Sequence, residues 1–447
     1  MHIVIIGLGE VGRHLLRVLE REGHDIVAID QDADSVRHAE DHFDVATLVG
    51  YGANSEILEQ AGVQKADLLV AVTDHDEVNL IAALAGRQLG AKRAIARTQG
   101  NEWARSSEGV RYGLLGVDVV INPRVLVAHE LVKVARSHGA VQVIDLAQDR
   151  IELVQLETEE KSKLLHKPIS SLALPRDTLI AAIVREGELF VPGGADVLIP
   201  NDRVYLIGRP SELPHAEDMF TSKREARRVC IVGGSVTGES VARELEAVGA
   251  TVLIIESDIE RAQALSESLL GVTVLHGDGT DTSLLKEEEI GTYDLFVAVT
   301  ADDETNLMAA LLAKRLGPVQ TAAQVQRPDY VGIYEQLGVD IVISPRIVAS
   351  DHILRFCRHE SLTHLTVLQD GQAEVLELSA QKRCRAIGVP LKEMRLPRGA
   401  LLAAIVHGDR VIIPRGDDKV SEGDSVVVLT TTVARPVVER LFRSGLL

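Results

Sequence analysis

The chain has 447 residues, enough for about three domains or four small ones at ~100–200 residues each, and its hydrophobic content of 46 % excludes global disorder. A formal charge of −19 argues against a general attraction to DNA, RNA or anionic lipid, and 3 % aromatics supply no stacking platform for single strands. Cys230, Cys357 and Cys384 are scattered, with no CxxC spacing, which fits a reducing compartment better than a disulfide framework.

The opening residues His2–Ile6 already read as a strand, so no signal peptide is expected. No apolar run approaches the ~18 residues a membrane helix needs. A cytoplasmic protein without direct membrane insertion is the expectation. That first strand runs into Gly7-Leu8-Gly9-Glu10-Val11-Gly12, a helix follows over Arg13–Arg21, and a second apolar run, Ile26–Ile29, stops on Asp30. Strand, glycine turn, helix and strand in this order suit an adenosine diphosphate group. The glycines admit a tight turn and a close approach of backbone to pyrophosphate, while the helix start points N–H groups at its charge. An acid about 20 residues past the first glycine is placed to accept ribose hydroxyls. Asp30 disfavours a ribose 2′-phosphate, hence NADP, but does not separate NAD from ATP or ADP.

A polar helix (Ala33–Glu40), the strand Val45–Val49 and a turn at Gly50-Tyr51-Gly52 come next. Ala66–Val72 is continuously apolar, as in a strand buried on both faces. Thr73-Asp74-His75-Asp76 then opens the helix Glu77–Leu89 as its polar cap. Arg93–Thr98 and Gly116–Ile121 read as further strands, and Pro123–Arg136 as a helix with proline in its first turn. Such alternation predicts a parallel sheet covered on both faces. From Val141 the texture changes to short β-rich segments (Val141–Leu146, Ile151–Leu156, Thr178–Val184, Val204–Ile207) among prolines and glycines, a small α+β lobe of ~80 residues. Ser211–Arg228 reads as a polar, charged connector.

Then the chain repeats itself. Gly233-Gly234-Ser235-Val236-Thr237-Gly238 re-enacts the first glycine turn, and Ile254-Ile255-Glu256 re-enacts Ala28-Ile29-Asp30. Thr300 to Asn306 mirrors Thr73 to Asn79, and Ser344-Pro345-Arg346 mirrors Asn122-Pro123-Arg124. In the small lobe, Leu174-Pro175-Arg176 returns as Leu396-Pro397-Arg398 and Asn201-Asp202-Arg203 as Gly423-Asp424-Ser425. The landmarks keep their order at an offset of about 225 residues, so the whole two-lobe unit is duplicated. The fold class is therefore α/β: two Rossmann-like parallel-sheet domains, each followed by a small α+β lobe, in tandem duplication. The expected boundaries are 1–137, 138–222, 223–358 and 359–447.

The tandem units, with Ala71-Val72-Thr73 followed by Asp76-Glu77-x-Asn79, its echo at Thr300–Asn306 and the paired Leu-Pro-Arg lobes, resemble the TrkA family over essentially the whole chain. These are regulatory subunits of bacterial Trk potassium uptake systems, built from RCK (KTN) domains. The resemblance implies binding of NAD or NADH, with ATP and ADP as further candidates. It also implies a homotetrameric ring on the cytoplasmic face of a membrane potassium-translocating subunit of the TrkH type, whose opening follows nucleotide state. No catalytic residue, metal or nucleic acid enters that picture.

Within the first unit, Gly7, Leu8, Gly9, Glu10 and Val11 would wrap the pyrophosphate, Gly12 would allow close packing of helix on strand, and Asp30 would take the ribose. Thr73 and Asp74 end a strand where open α/β sheets bind ligands, though they could equally just cap a helix. Tyr51 could lie against adenine or merely fill its loop. Arg97 could pair with phosphate or form a surface salt bridge. The second unit offers Gly233, Gly234, Ser235, Val236, Thr237, Gly238, Glu256, Asp278 and Thr300. There Ser235 replaces the middle glycine, Glu256 replaces Asp30, and Gln324 stands where Arg97 does, so the two sites are expected to be unequal. His14, His24, His38 and His42 read as solvated, and Glu157-Thr158-Glu159-Glu160 and Glu287-Glu288-Glu289 as solvated faces. The rival reading, an NAD-dependent oxidoreductase, needs a substrate domain and an acid–base group aimed at the nicotinamide. The small lobes are short for that role and present no evident His or Lys constellation.

Overall fold

The computed structural model describes residues 1–100, 110–114, 116–317, 319–356, 362–408 and 410–443; Cys357 lies outside them. The chain opens with β1 (His2–Ile6), α1 (Glu10–Arg21), β2 (Asp25–Asp30), α2 (Ala33–His42), β3 (Ala46–Val49), α3 (Ser55–Gln60), β4 (Leu68–Ala71), α4 (Asp76–Leu89), β5 (Ala94–Arg97), β6 (Val110–Leu114), β7 (Val117–Ile121) and α5 (Pro123–Arg136). The strands form one sheet in the order β3-β2-β1-β4-β5-β7-β6. All neighbours are parallel except β6, which runs antiparallel to β7. That edge departs from the expected wholly parallel sheet because the short link from Leu114 to Val117 cannot carry a crossover.

The first small lobe consists of β8 (Gln142–Leu146), β9 (Ile151–Glu157), β10 (Thr178–Arg185), β11 (Glu188–Phe190), β12 (Arg203–Gly208) and α6 (Leu213–Glu217), its sheet antiparallel in the order β11-β10-β12-β9-β8. The stretch read as a polar connector holds α6, and Leu213, Ala216 and Phe220 there are fully buried. Three apolar side chains at near-helical spacing outweigh the charges around them.

The second half repeats the plan with β13 (Arg228–Val232), α7 (Val236–Ala247), β14 (Thr251–Glu256), α8 (Ile259–Ser268), β15 (Thr273–His276), α9 (Thr282–Glu287), β16 (Leu295–Ala298), α10 (Asp303–Leu316), β17 (Gln320–Gln324), α11 (Val331–Gln336), β18 (Ile341–Ile343) and α12 (Pro345–Phe356). This sheet, β15-β14-β13-β16-β17-β18, is parallel throughout. The last lobe, β19 (Leu362–Leu368), β20 (Ala373–Ser379), β21 (Ala400–His407), β22 (Arg410–Ile412), β23 (Ser425–Thr431) and α13 (Arg435–Phe442), has the order β19-β20-β23-β21-β22, the first small lobe's topology over again.

Like lobes associate. The chain divides into two compact units, Met1–Val132 with Arg227–Cys357 and Lys133–Ala226 with Arg358–Leu447. In the first, α12 of the second half lies on α1 of the first half. Its Ile353 and Leu354 enter the core formed by Ile3, Ile5, Leu15, Leu16 and Leu19. In the second, the inner faces of both small sheets merge into one core, Leu153, Ala182 and Ile207 from one and Val375, Ala404 and Leu429 from the other. A sheet of this size buries too little surface alone, and its copy supplies the missing cover.

The small-lobe unit also contains a like-charge pair. Asp145 and Glu152 stand opposite each other on β8 and β9, with Lys133 paired to Asp145. Burial first, then Asp145 and the buried Glu217, push the Glu152 carboxyl up to about 7. Burial raises Glu217 as well. A carboxyl raised on folding contributes stability that is complete below its ordinary value near 4.5 and is lost as pH rises through about 7. Glu152→Gln is therefore expected to gain about 1–2 kcal/mol over wild type at pH 8, after discounting for solvent screening, and little at pH 4.5. Denaturant midpoints at the two pH values measure it, and equal differences at both would reject it.

Candidate functional site

In the first lobe, β1 ends at the sheet centre and the chain turns sharply at Gly7, whose φ of +98 is a left-handed conformation that favours glycine. A Cβ on Gly7 would meet the Thr73 backbone N at 2.8 Å, one on Gly12 would stand 1.9 Å from the Gly7 carbonyl oxygen, and one on Gly9 would meet nothing within 4 Å. Gly7 and Gly12 thus close the turn on itself, while Gly9 leaves space above it. Gly12's role differs slightly from that expected, since the carbonyl it clears belongs to the turn.

A crevice opens over this turn, lined by Gly7, Gly9, Asp30, Tyr51, Thr73 and Asp74 among others. Six of the first unit's candidates are thereby brought together at the carboxyl ends of β1, β2 and β4. Leu8 and Val11 are buried in the core behind, with Gly12. Asp30 accepts from the Leu8 backbone N–H at 2.6 Å and the Asp32 N–H at 2.9 Å, which holds the carboxylate across the turn. Tyr51 is half exposed. Arg97 does not line this crevice. It donates to Asp74 Oδ1 at 2.8 Å and to the Thr73 carbonyl at 3.1 Å, and burial lowers its pKa.

Of the polar run expected to cap α4, His75 is the N-cap; its own side chain makes no cap hydrogen bond, and its N–H donates to the Thr73 hydroxyl at 3.3 Å. Asp76 turns to the backbone N–H groups of Gln99 (2.9 Å) and Gly100 (2.8 Å). Below Thr73 lies a buried amide that the sequence reading did not place in the site. Asn79 Oδ1 accepts from the Thr73 N–H (2.8 Å) and hydroxyl (2.7 Å), and its Nδ2 donates to the Thr73 (2.8 Å) and Arg97 (2.9 Å) carbonyls. The recurrence of Asp-Glu-x-Asn in both halves was the available signal, and Asn306 bonds Thr300 the same way.

The second turn is built alike but furnished differently. Gly233 has φ +100, and a Cβ on Gly238 would stand 2.0 Å from its carbonyl oxygen. Ser235 caps α7, accepting from the Gly238 N–H (3.4 Å) and donating to the Val299 carbonyl (3.0 Å). Glu256 accepts from the Gly234 N–H (2.5 Å) and the Asp258 N–H (2.8 Å), matching Asp30. Arg261 donates to the Gly234 carbonyl (2.6 Å) and to Glu239 (2.8 Å), laying a guanidinium beside the turn. Val236 begins α7 and Thr237 is buried. Asp278 is exposed and bonds Thr280, whose N–H and hydroxyl lower its pKa. Gln324 is buried with its Oε1 unpartnered.

Among the described residues no group of His, Cys, Asp and Glu is arranged to hold a metal, and no helix is long and apolar enough to cross a membrane. The histidines read as solvated are not uniformly so. The His24 side chain is only 8 % exposed, and burial lowers the pKa of His14.

Comparison with known proteins agrees with this architecture. The TrkA-N domain profile matches residues 3–123 and 229–345, and the TrkA-C domain profile matches 153–221 and 375–443. The chain is 36 % identical to a Trk system potassium uptake protein TrkA homolog 1 from Methanosarcina mazei, covering 99 % of this chain and 100 % of the relative. It is 36 % identical to a TrkA homolog from Archaeoglobus fulgidus over the same shares. Among solved structures it is similar in fold to the GsuK channel bound to NAD, at a TM-score of 0.62 and 21 % identity, covering 99 % of this chain and 78 % of that one.

Proposed function

The chain belongs to the TrkA family, and from that premise we propose that it is a non-enzymatic regulatory subunit of potassium transport that reads nucleotide state. NAD or NADH, with ATP or ADP as competitors, would bind over the first glycine turn. The observation that carries the reading is the convergence of Gly7, Gly9, Asp30 and Thr73 on one crevice. The pyrophosphate would lie over Gly9, where there is space, and the ribose on Asp30. The relatives' names supply potassium uptake, and a protein of similar fold was solved with NAD. The protein would work on the cytoplasmic face of a membrane, docked on a TrkH-type subunit as a tetramer.

The second glycine turn would bind more weakly, because Ser235 occupies the middle position and Arg261 is engaged with the turn. Nucleotide binding would favour one arrangement of the assembled subunits over another. Coupling of ~1–3 kcal/mol per site falls short of the ~5.5 kcal/mol that moves a gate from 1:99 to 99:1, so four chains would have to add their contributions.

Calorimetric titration of the full chain with NAD, NADH, ADP and ATP tests the site. Asp30→Ala is expected to weaken the stronger event about tenfold or more, the scale of a lost charged hydrogen bond, and Glu256→Ala to leave it unchanged. Two equal events, or none, would defeat the proposal. Substrate-dependent NADH oxidation would favour an oxidoreductase instead, and co-purification with a membrane potassium subunit the regulator.

A further inference from the structure

The first glycine turn carries a charge that its copy lacks. Glu10 is the first residue of α1, next in the chain to Gly9, which lines the crevice, whereas the second half has Val236 at the equivalent place. The turn folds with either residue, so the carboxylate is not a requirement of its geometry. Glu10 is partly exposed and bonds Arg13 at 2.5 Å. From the second lobe, Arg346 approaches it at 3.8 Å. The Arg13 hydrogen bond, followed by the positive charges of Arg13, Arg346 and Arg327, lowers its pKa. A carboxylate therefore stands at a helix start, the place that otherwise attracts phosphate, and it engages the guanidinium groups of Arg13 and Arg346.

Resting on the reading of this crevice as a nucleotide site, we propose that Glu10 is its specificity-determining residue, selecting dinucleotides against nucleotides that end in free phosphate. In a dinucleotide both phosphates are diesters with one negative charge each, and a second nucleoside follows. In ADP and ATP the chain ends in a phosphate with additional charge, and that charge meets Glu10 rather than Arg13 and Arg346. Like charges in a partly desolvated crevice repel, and the penalty grows with each added charge. Glu10 acts as an internal anion that a terminal phosphate has to displace.

The test is titration of full-length wild type, Glu10→Gln and Glu10→Asp with NAD, NADH, ADP and ATP at low salt. Glu10→Gln is expected to tighten ATP and ADP about tenfold while NAD and NADH change less than about threefold. The shift should shrink as ionic strength rises, and Glu10→Asp should keep the wild-type preference. Equal gains for ATP and NAD, or no gain for ATP, overturn the assignment of Glu10 while leaving the crevice a nucleotide site. Failure of wild type to bind any of the four overturns the site itself. Adding Arg346→Gln to Glu10→Gln should take back most of the ATP gain; an undiminished gain would remove Arg346 from the account.

Discussion

A Gly12→Ala variant is expected to lose nucleotide affinity at the first crevice by more than about 100-fold and to unfold about 3 kcal/mol more easily. The added methyl would stand 1.9 Å from the Gly7 carbonyl oxygen. That neighbour is backbone, in a turn already committed to φ +98, so the clash can be relieved only by opening the turn. Opening it moves the Leu8 N–H away from Asp30, whose carboxylate then loses its grip on the crevice wall. Gly9→Ala is the control, because its methyl meets nothing within 4 Å. It should fold like wild type yet bind about tenfold more weakly, if a pyrophosphate approaches that backbone. Thermal midpoints and calorimetry separate the two variants. Normal binding by Gly12→Ala would show that the turn is not where nucleotide lies.

The second large effect falls in the small lobes. Asp202 is buried, and Arg185 holds it with two hydrogen bonds of 2.9 and 2.8 Å while donating also to the Val197 carbonyl. Removing the guanidinium leaves a carboxylate inside the fold with, among the described residues, only the Ile199 N–H at 2.9 Å. Arg185→Ala is expected to cost about 3 kcal/mol, since an uncompensated buried charge is dearer than the pair was worth. Arg185→Ala combined with Asp202→Asn should recover much of the loss, and denaturant unfolding of the two variants checks both statements. The duplicate lobe places an imidazole where the first has the guanidinium. His407 contacts Asp424 at 2.5 Å in the equivalent place.

Much of the first lobe was legible because its signals are local. The glycine turn, the acid after the second strand and the helix Pro123–Arg136 depend on residues close in sequence, and the doubling was visible because Gly233 and Thr300 keep their distance from Gly7 and Thr73. The elements that escaped depend on distant partners. β6 is defined by its pairing with β7, and α6 by three apolar side chains hidden in a charged stretch. Arg97 reads from sequence as either a phosphate contact or a salt bridge; the structure pairs it with Asp74, a partner no spacing rule names. Asn79 looked like part of a signature and turns out to hold Thr73 in place. The association of like lobes was illegible for the same reason: a self-complementary surface leaves no mark in periodicity.

The seating of Ile353 and Leu354 in the core beside α1 has a consequence for how the protein is made. A ribosome that has finished the first lobe has not yet produced the helix that seals it. At about 5–20 residues per second, the nascent sheet waits on the order of 10–40 s with its outer apolar groove uncovered. That interval of exposure is the cost of closing one half with the tail of the other.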